Sequence, residues 1–145
     1  MSFEGKIALV TGASRGIGRA IAETLVARGA KVIGTATSES GAQAISEYLG
    51  ANGKGLMLNV TDPASIESVL GNIRAEFGEV DILVNNAGIT RDNLLMRMKD
   101  DEWSDILETN LSSVFRLSKA VMRAMMKKRH GRIITIGSVV GTMGN

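Results

Sequence analysis

Apolar runs and helical repeats alternate along this chain, beginning with a run at residues 7–10. The run is unbroken, which is typical of a parallel strand covered on both faces. A few residues further on, Ile17, Ile21 and Leu25 recur every four residues, so one face of a helix would be apolar. Gly29 follows, and glycine readily adopts the positive φ of a helix C-terminus. The pattern predicts a strand, a turn and a helix in that order.

The same alternation continues along the chain. The further predicted strands are 31–36, 54–58, 81–84 and 132–136, and the further predicted helices are 41–49, 62–77 and 103–128. Asp62 is a good N-cap before Pro63, and Gly78 is placed to end the third helix. Alternation of this kind predicts an α/β fold, a Rossmann-type doubly wound parallel sheet with helices on both faces and strand order 3-2-1-4-5.

The fifth predicted strand is apolar on both faces, at Ile133–Ile136, and no later element remains to cover it. An exposed edge of that composition is an association site. We therefore expect residues 1–145 to be one domain that is incomplete at its C-terminus. The chain would be truncated from a longer protein, or would fold against the missing part or another copy.

Composition narrows the class of protein. Hydrophobic residues make up 44% and charged residues 22% of the 145 residues, which is ordinary for one soluble globular domain. The absence of cysteine excludes disulfides, thiol nucleophiles and cysteine-bound metal, and no metal site is predicted. The net charge of +2 gives no argument for nucleic acid. With neither a membrane-length apolar segment nor a signal peptide, a cytoplasmic protein is expected.

The turn between the first strand and helix is rich in glycine. It reads Thr11-Gly12-Ala13-Ser14-Arg15-Gly16-Ile17-Gly18. Its three glycines allow a sharp turn, close approach of a pyrophosphate, and close packing of helix on strand. The helix N-terminus offers unpaired N–H groups and a positive dipole end to phosphates. The glycines could serve geometry alone, but strand, triplet and helix in this order favour a dinucleotide-binding domain.

Five motifs occur in the order and spacing of the short-chain dehydrogenase/reductase family, which this chain resembles. They are the glycine turn, Asn59-Val60, Asn85-Asn86-Ala87-Gly88, Asn110 and Ser138. Within the family, residues 86–98 resemble bacterial 3-oxoacyl-acyl-carrier-protein reductases, which reduce a keto group with NADPH during fatty acid elongation. The resemblance covers the whole chain, although a typical member is longer. It implies the cofactor portion of an oxidoreductase of lipid metabolism.

The resemblance assigns cofactor contacts to particular residues. The glycine turn would bind the pyrophosphate, and Asn59 with Val60 would contact adenine. Many members have an acidic residue where this chain has Asn59, so that contact is the less secure of the two. Asn86, Ala87 and Gly88 would lie beside the ribose. The adjacent asparagines could equally be turn residues that satisfy backbone groups.

The end of the second strand implies NADP(H) rather than NAD. Members of the family that use NAD usually place a carboxylate there for the ribose hydroxyls. The segment 34–38 has none, and Arg15 projects from the turn toward the same region. A guanidinium can pair with a 2′-phosphate, and Thr37 would add a hydroxyl donor. Alternatively, Arg15 only covers the helix start, and Thr35 and Thr37 are ordinary strand residues.

The resemblance also implies catalytic roles. Asn110 would hold a water of a proton relay, or else satisfy backbone groups at a helix bend. Ser138 would donate a hydrogen bond to the substrate carbonyl and stabilise the oxyanion. The family's general acid is a tyrosine followed four residues later by a lysine, but here Tyr48 is followed by Asn52. Since losing a general acid costs ~10²–10⁴-fold, this chain alone is predicted not to turn over.

Partners are suggested by the end of the long helix. Lys127, Lys128 and Arg129 could dock an acidic acyl-carrier protein, although cations there also suit the helix dipole. A methionine group on the same helix would pack in the core or at a subunit interface, as in the homotetramers of this family. The group comprises Met122, Met125 and Met126. Two other hypotheses remain open: a short-chain reductase with a different keto substrate, and a non-catalytic nucleotide-binding module.

Overall fold

A single parallel sheet organises the chain. The structure is a computed structural model that describes residues 2–86 and 100–136, with side chains in the second range at 108 and from 111 onward. The strands are β1 Ile7–Val10, β2 Lys31–Ala36, β3 Gly53–Met57, β4 Ile82–Asn85 and β5 Arg132–Thr135. All neighbours pair in parallel, in the order β3-β2-β1-β4-β5. The predicted α/β fold and strand order are confirmed.

Helices connect the strands and end where local signals predict. They are α1 Gly16–Ala27, α2 Glu39–Leu49, α3 Pro63–Glu76 and α4 Asp100–Lys128. Gly29 follows α1 with φ of 99°, as expected of a glycine after a helix. The Asp62 carboxylate accepts a hydrogen bond from the Ala64 N–H at 3.0 Å, so Asp62 caps α3.

Several predicted boundaries were wrong by one to three residues. The second helix begins at Glu39 rather than residue 41, because the Ser38 hydroxyl accepts the Gly41 N–H and caps it. β3 begins and ends one residue earlier than predicted because Gly53 pairs with Val32, and β4 runs one residue later. The last helix begins at Asp100 instead of residue 103.

Two hydrophobic layers cover the sheet. Alternation along β1 sends Ala8 and Val10 to the side of α1 and α2, and Leu9 to the side of α3 and α4. Side chains such as Ile45 and Ile73 are almost fully buried in the two layers. Each aliphatic side chain buried in this way contributes about 1.5–3 kcal/mol. This packing holds the turn after β1 between two anchored neighbours, β2 and β4.

β5 is the open edge of the described sheet. Ile134 is 47% exposed and Ile133 is half-buried. The predicted exposed apolar edge is therefore confirmed for the described strands, while its association with another surface stays a prediction. The helices within residues 2–86 and 100–136 include none with the length and apolar character needed to cross a bilayer.

Candidate functional site

The glycine turn lies at the carboxyl edge of the sheet, directly after β1. Gly12 and Gly16 have φ of 63° and 62°, a left-handed conformation that side chains disfavour. Gly18, in the first turn of α1, packs against the turn itself. A Cβ there would collide with the Gly12 carbonyl oxygen and lie 2.6 Å from the Asn86 Nδ2. Positive φ therefore favours glycine at positions 12 and 16, and close packing favours glycine at position 18.

Four hydrogen bonds attach the turn to the end of β4, one of them from the Thr11 hydroxyl to the Val84 carbonyl at 3.4 Å. The Thr11 N–H donates to the Val84 carbonyl at 3.1 Å. The Asn86 N–H donates to the Thr11 Oγ1 at 2.9 Å, and its Nδ2 donates to the Gly12 carbonyl at 3.1 Å. The structure therefore brings Asn86 to the turn, while its contact with a nucleotide stays a prediction.

A second set of contacts attaches the turn to β2 and α2. The Ala13 N–H donates to the Thr35 carbonyl at 2.9 Å, and the Tyr48 hydroxyl donates to the Ala13 carbonyl at 2.6 Å. The Arg19 guanidinium lies 4.4 Å from the centre of the Tyr48 ring. Sequence reasoning gave Tyr48 no role at this site. Nothing local marks it, because its partner Ala13 lies 35 residues earlier.

The turn leaves backbone donors available. Within residues 2–86 and 100–136, the N–H groups of Ser14, Gly16 and Ile17 meet no acceptor. The first N–H groups of a helix have no partner inside it, and the helix dipole adds partial positive charge there. Arg15 stands exposed directly before α1. This combination suits a phosphate group.

The end of β2 lies beside the turn. A Cβ at Gly41 would be 3.1 Å from the Ser38 Oγ and 3.7 Å from the Ser14 Cβ, so these three residues meet. Thr37 is exposed. Because residues 34–38 contain no carboxylate, the local charge is compatible with an additional phosphate on the ribose.

Asn59 and Asn85 have roles within the protein. The Asn59 Oδ1 accepts hydrogen bonds from the Thr61 N–H at 3.0 Å and from the Thr61 hydroxyl at 2.6 Å. Its side-chain oxygen thus stabilises a local turn. The Asn85 Nδ2 donates to Ser118 at 3.2 Å and to Thr135 at 3.4 Å, which joins β4, α4 and β5. The predicted adenine contact of Asn59 stays a prediction.

A charged cluster lies at the opposite, amino edge of the sheet. The Lys128 Nζ is 2.8 Å from the Asp81 Oδ1, and the Ile7 N–H donates to the Asp81 Oδ2 at 2.9 Å. Burial would raise the pKa of Asp81, but the hydrogen bonds from Lys128 and Ile7 and the charges of Lys128 and Lys6 together lower it. Lys128 therefore has a partner inside the fold, and sequence reasoning had missed Asp81.

The comparisons with known proteins identify the family. The family model described as short chain dehydrogenase matches residues 6–145. This chain belongs to the short-chain dehydrogenase family. It is 94% identical to the 3-oxoacyl-[acyl-carrier-protein] reductase FabG of Escherichia coli K12, and 80% identical to the protein of that name from Vibrio cholerae. The Pseudomonas aeruginosa reductase of that name is 63% identical.

Each of these alignments covers this whole chain, but the chain spans only 59–60% of the length of those relatives. Proteins of the short-chain dehydrogenase family use a nicotinamide cofactor. In this member, the described residues that meet the requirements of such a ligand are those of the glycine turn and its neighbours. Among the residues described, no three His, Asp or Glu side chains come together as metal ligands.

Four of the predicted site residues lie wholly or partly outside the described residues. Ala87, Gly88 and Ser138 lie outside the described residues. Asn110 lies in α4, but its side chain is outside the described set. Their roles stay predictions.

Proposed function

We propose that this chain is the cofactor-binding portion of an NADPH-dependent 3-oxoacyl-acyl-carrier-protein reductase of fatty acid elongation. The observation that carries the proposal is the glycine turn, which is anchored to both β2 and β4 and whose N–H groups at Ser14, Gly16 and Ile17 meet no acceptor among the described residues. The 94% identity to a reductase of that name supports the same substrate class.

The residues present suit NADPH. Ser14, Gly16 and Ile17 would donate their N–H groups to the pyrophosphate, and Arg15 with Thr37 would bind the 2′-phosphate. Around the nucleoside, the proposed contacts are Asn59, Val60, Asn86, Ala87 and Gly88. When bound, NADPH supplies the hydride that reduces a keto group.

Proton transfer would need more than this chain contains. Ser138 would donate a hydrogen bond to the substrate carbonyl, and Asn110 would hold a water of the relay. The alkoxide that hydride transfer creates must then be protonated. No Tyr-x-x-x-Lys occurs in the 145 residues to do this. We therefore expect no turnover by this chain alone.

An acidic acyl-carrier protein would dock at the end of α4. Lys127 and Arg129 are exposed, whereas Lys128 is already paired with Asp81. Lys127 and Arg129 would therefore contribute more to docking than Lys128 does. A binding titration with the Lys127→Ala and Arg129→Ala variants tests this, because unchanged affinity for the carrier protein would contradict it.

Homo-oligomer formation, with a tetramer as the expected full-length state, would use the exposed side of α4. Leu111 and Phe115 are 63% and 67% exposed, and Met122 and Met126 are 43% and 70% exposed. Their spacings of four and seven residues place all four on one side of the helix. Sedimentation that shows only monomer at high protein concentration would contradict association by this chain. We further expect the protein in the cytoplasm, which cell fractionation can check.

A non-catalytic nucleotide-binding module is the second candidate, which a longer form that binds NADPH but reduces no ketone would indicate. A third candidate is a short-chain reductase with a different keto substrate. Full activity of a longer form of the protein toward another ketone would indicate this.

The test begins with the intact mass of the purified protein. NADPH is then titrated, and NADPH oxidation is followed with a short 3-oxoacyl thioester on the same sample. We expect a single 145-residue species that binds NADPH and does not consume it. Absence of binding would contradict the cofactor role, and turnover would contradict the need for the tyrosine and lysine.

A further inference from the structure

Tyr48 makes a hydrogen bond to the glycine turn that has no part in the proposed function. It is the only tyrosine of the chain and lies on α2, half-buried. Its hydroxyl donates to the Ala13 carbonyl at 2.6 Å, while Arg19 of α1 covers its ring at 4.4 Å. One side chain therefore connects α2 to the glycine turn and to the helix that follows the turn.

The Ala13 carbonyl belongs to the same peptide unit as the Ser14 N–H. No cis peptide is present in the described residues, so this unit is trans and the two groups point in opposite directions. The hydrogen bond from Tyr48 fixes the carbonyl, and the bond from the Ala13 N–H to Thr35 fixes the preceding unit. Together these bonds fix the direction of the Ser14 N–H.

Tyr48 acts here as a hydrogen-bond donor. Burial raises the pKa of its phenol to about 12, with Glu23 adding to the shift and Arg19 opposing it. The hydroxyl therefore keeps its proton at neutral pH and can donate continuously to Ala13. Without it, the Ala13–Ser14 unit would be free to rotate and its carbonyl would lose a partner.

We propose that Tyr48 is a positioning residue for the cofactor: by holding the Ala13 carbonyl, it directs the Ser14 N–H toward a phosphate of the bound dinucleotide. This inference rests on the proposed cofactor role. It adds a residue on α2 to a site otherwise built from the turn, β2 and β4.

The test compares two variants of α2. Tyr48→Phe keeps the ring and its contact with Arg19 but removes the hydroxyl. Ser46→Ala removes another bond of the same helix, the one that its Oγ accepts from the Gly55 N–H at 2.8 Å, and does not touch the turn. Fluorescence titration with NADPH should give about three- to tenfold weaker binding for Tyr48→Phe and unchanged binding for Ser46→Ala. Thermal unfolding of the ligand-free proteins measures the cost to the fold separately.

A spectroscopic readout follows from the single tyrosine. With ring-labelled tyrosine, the NMR signal belongs to Tyr48 alone, and NADPH should shift it with the same midpoint as the fluorescence titration. Equal NADPH affinity in Tyr48→Phe and the unsubstituted protein would overturn the inference while the cofactor role stands. Equal weakening in both variants would also overturn it, because general loosening of α2 would then suffice. If the unsubstituted protein binds no NADPH, the proposed function fails and the inference fails with it.

Discussion

The two edges of the sheet use their polar groups differently. At the amino edge, both oxygens of Asp81 are occupied, one by Lys128 and the other by the Ile7 N–H. At the carboxyl edge, Asn86 and Tyr48 hold the turn by its carbonyls, while backbone N–H groups of the turn meet no acceptor within residues 2–86 and 100–136. At the amino edge, the groups around Asp81 are therefore paired within the fold. At the carboxyl edge, N–H groups of the turn have no partner among the described residues and can bind a ligand.

This difference indicates where stability and binding can be separated. A buried carboxylate is costly unless it is paired, so the amino edge contributes to stability through complete pairing. The carboxyl edge is stabilised through carbonyl groups and close glycine packing. Its N–H donors can then be paired by a ligand, which contributes to affinity instead.

The largest expected effect comes from adding a methyl group at the carboxyl edge. In Gly18→Ala, the new Cβ would collide with the Gly12 carbonyl oxygen and crowd Asn86, so the turn must move. We expect a stability loss of about 1–3 kcal/mol, and NADPH binding should fall below detection. Urea unfolding and fluorescence titration measure the two effects.

Gly71→Ala is the matched control for that change. Gly71 lies in α3, and a Cβ there would meet nothing within 4 Å. Because alanine is the better helix former, we expect about 0.5–1 kcal/mol of added stability and unchanged NADPH affinity. Similar losses in both variants would show that close packing at Gly18 is not the cause.

A smaller effect is expected from the charge beside the turn. Arg15→Ala removes an exposed guanidinium directly before α1. NADPH affinity should fall about tenfold, with NADH affinity and unfolding nearly unchanged. Titration with both nucleotides checks this. An equal loss of affinity for NADH, which has no 2′-phosphate, would show that Arg15 does not act through that group.

At the amino edge, Asp81→Asn should show the reverse pattern. The substitution removes a buried charge that pairs with the partly exposed Lys128, so we expect a loss of about 1–2 kcal/mol in urea unfolding and no change in NADPH affinity. Glu76→Gln, which removes an exposed ion pair with Lys54 at 3.0 Å, is the control and should have almost no effect. Weakened NADPH binding in Asp81→Asn would contradict the idea that the amino edge serves stability and the carboxyl edge serves ligand binding.

The same carboxylate predicts a pH dependence. Because its folded pKa lies below the unfolded value of about 3.9, Asp81 stabilises the fold above that value and loses this contribution as the pH falls through the folded pKa. The stability difference between the unsubstituted protein and Asp81→Asn should thus be constant above about pH 5 and shrink below about pH 4. A difference that persists in acid would contradict the assignment.

Sequence reasoning succeeded where the signals are local. Apolar runs indicated the strands, and apolar residues that recur every four positions indicated the helices. Asp62 with Pro63 marked the start of α3. The right-handed crossover rule then led from alternation to the strand order. It was less accurate at α2, which Ser38 caps and which begins at Glu39, two residues before the predicted start.

The candidate site was only partly predictable for the same reason. The glycine turn and Asn86 could be found from motifs and their spacing. The contact of Tyr48 with Ala13 joins residues 35 apart, and that of Lys128 with Asp81 joins residues 47 apart. Neither pair has a local signature, because its geometry depends on how whole helices pack against the sheet.

By itself, the sequence determined the order of strands and helices, the family, and the absence of a Tyr-x-x-x-Lys pair, since all of these are properties of neighbouring residues or of fixed spacing. Only the tertiary structure decided which polar groups distant in sequence pair with one another inside the protein. It paired Lys128 with Asp81 and the Ala13 carbonyl with the Tyr48 hydroxyl. The physical reason is that a polar group's partner is set by distance and burial in three dimensions.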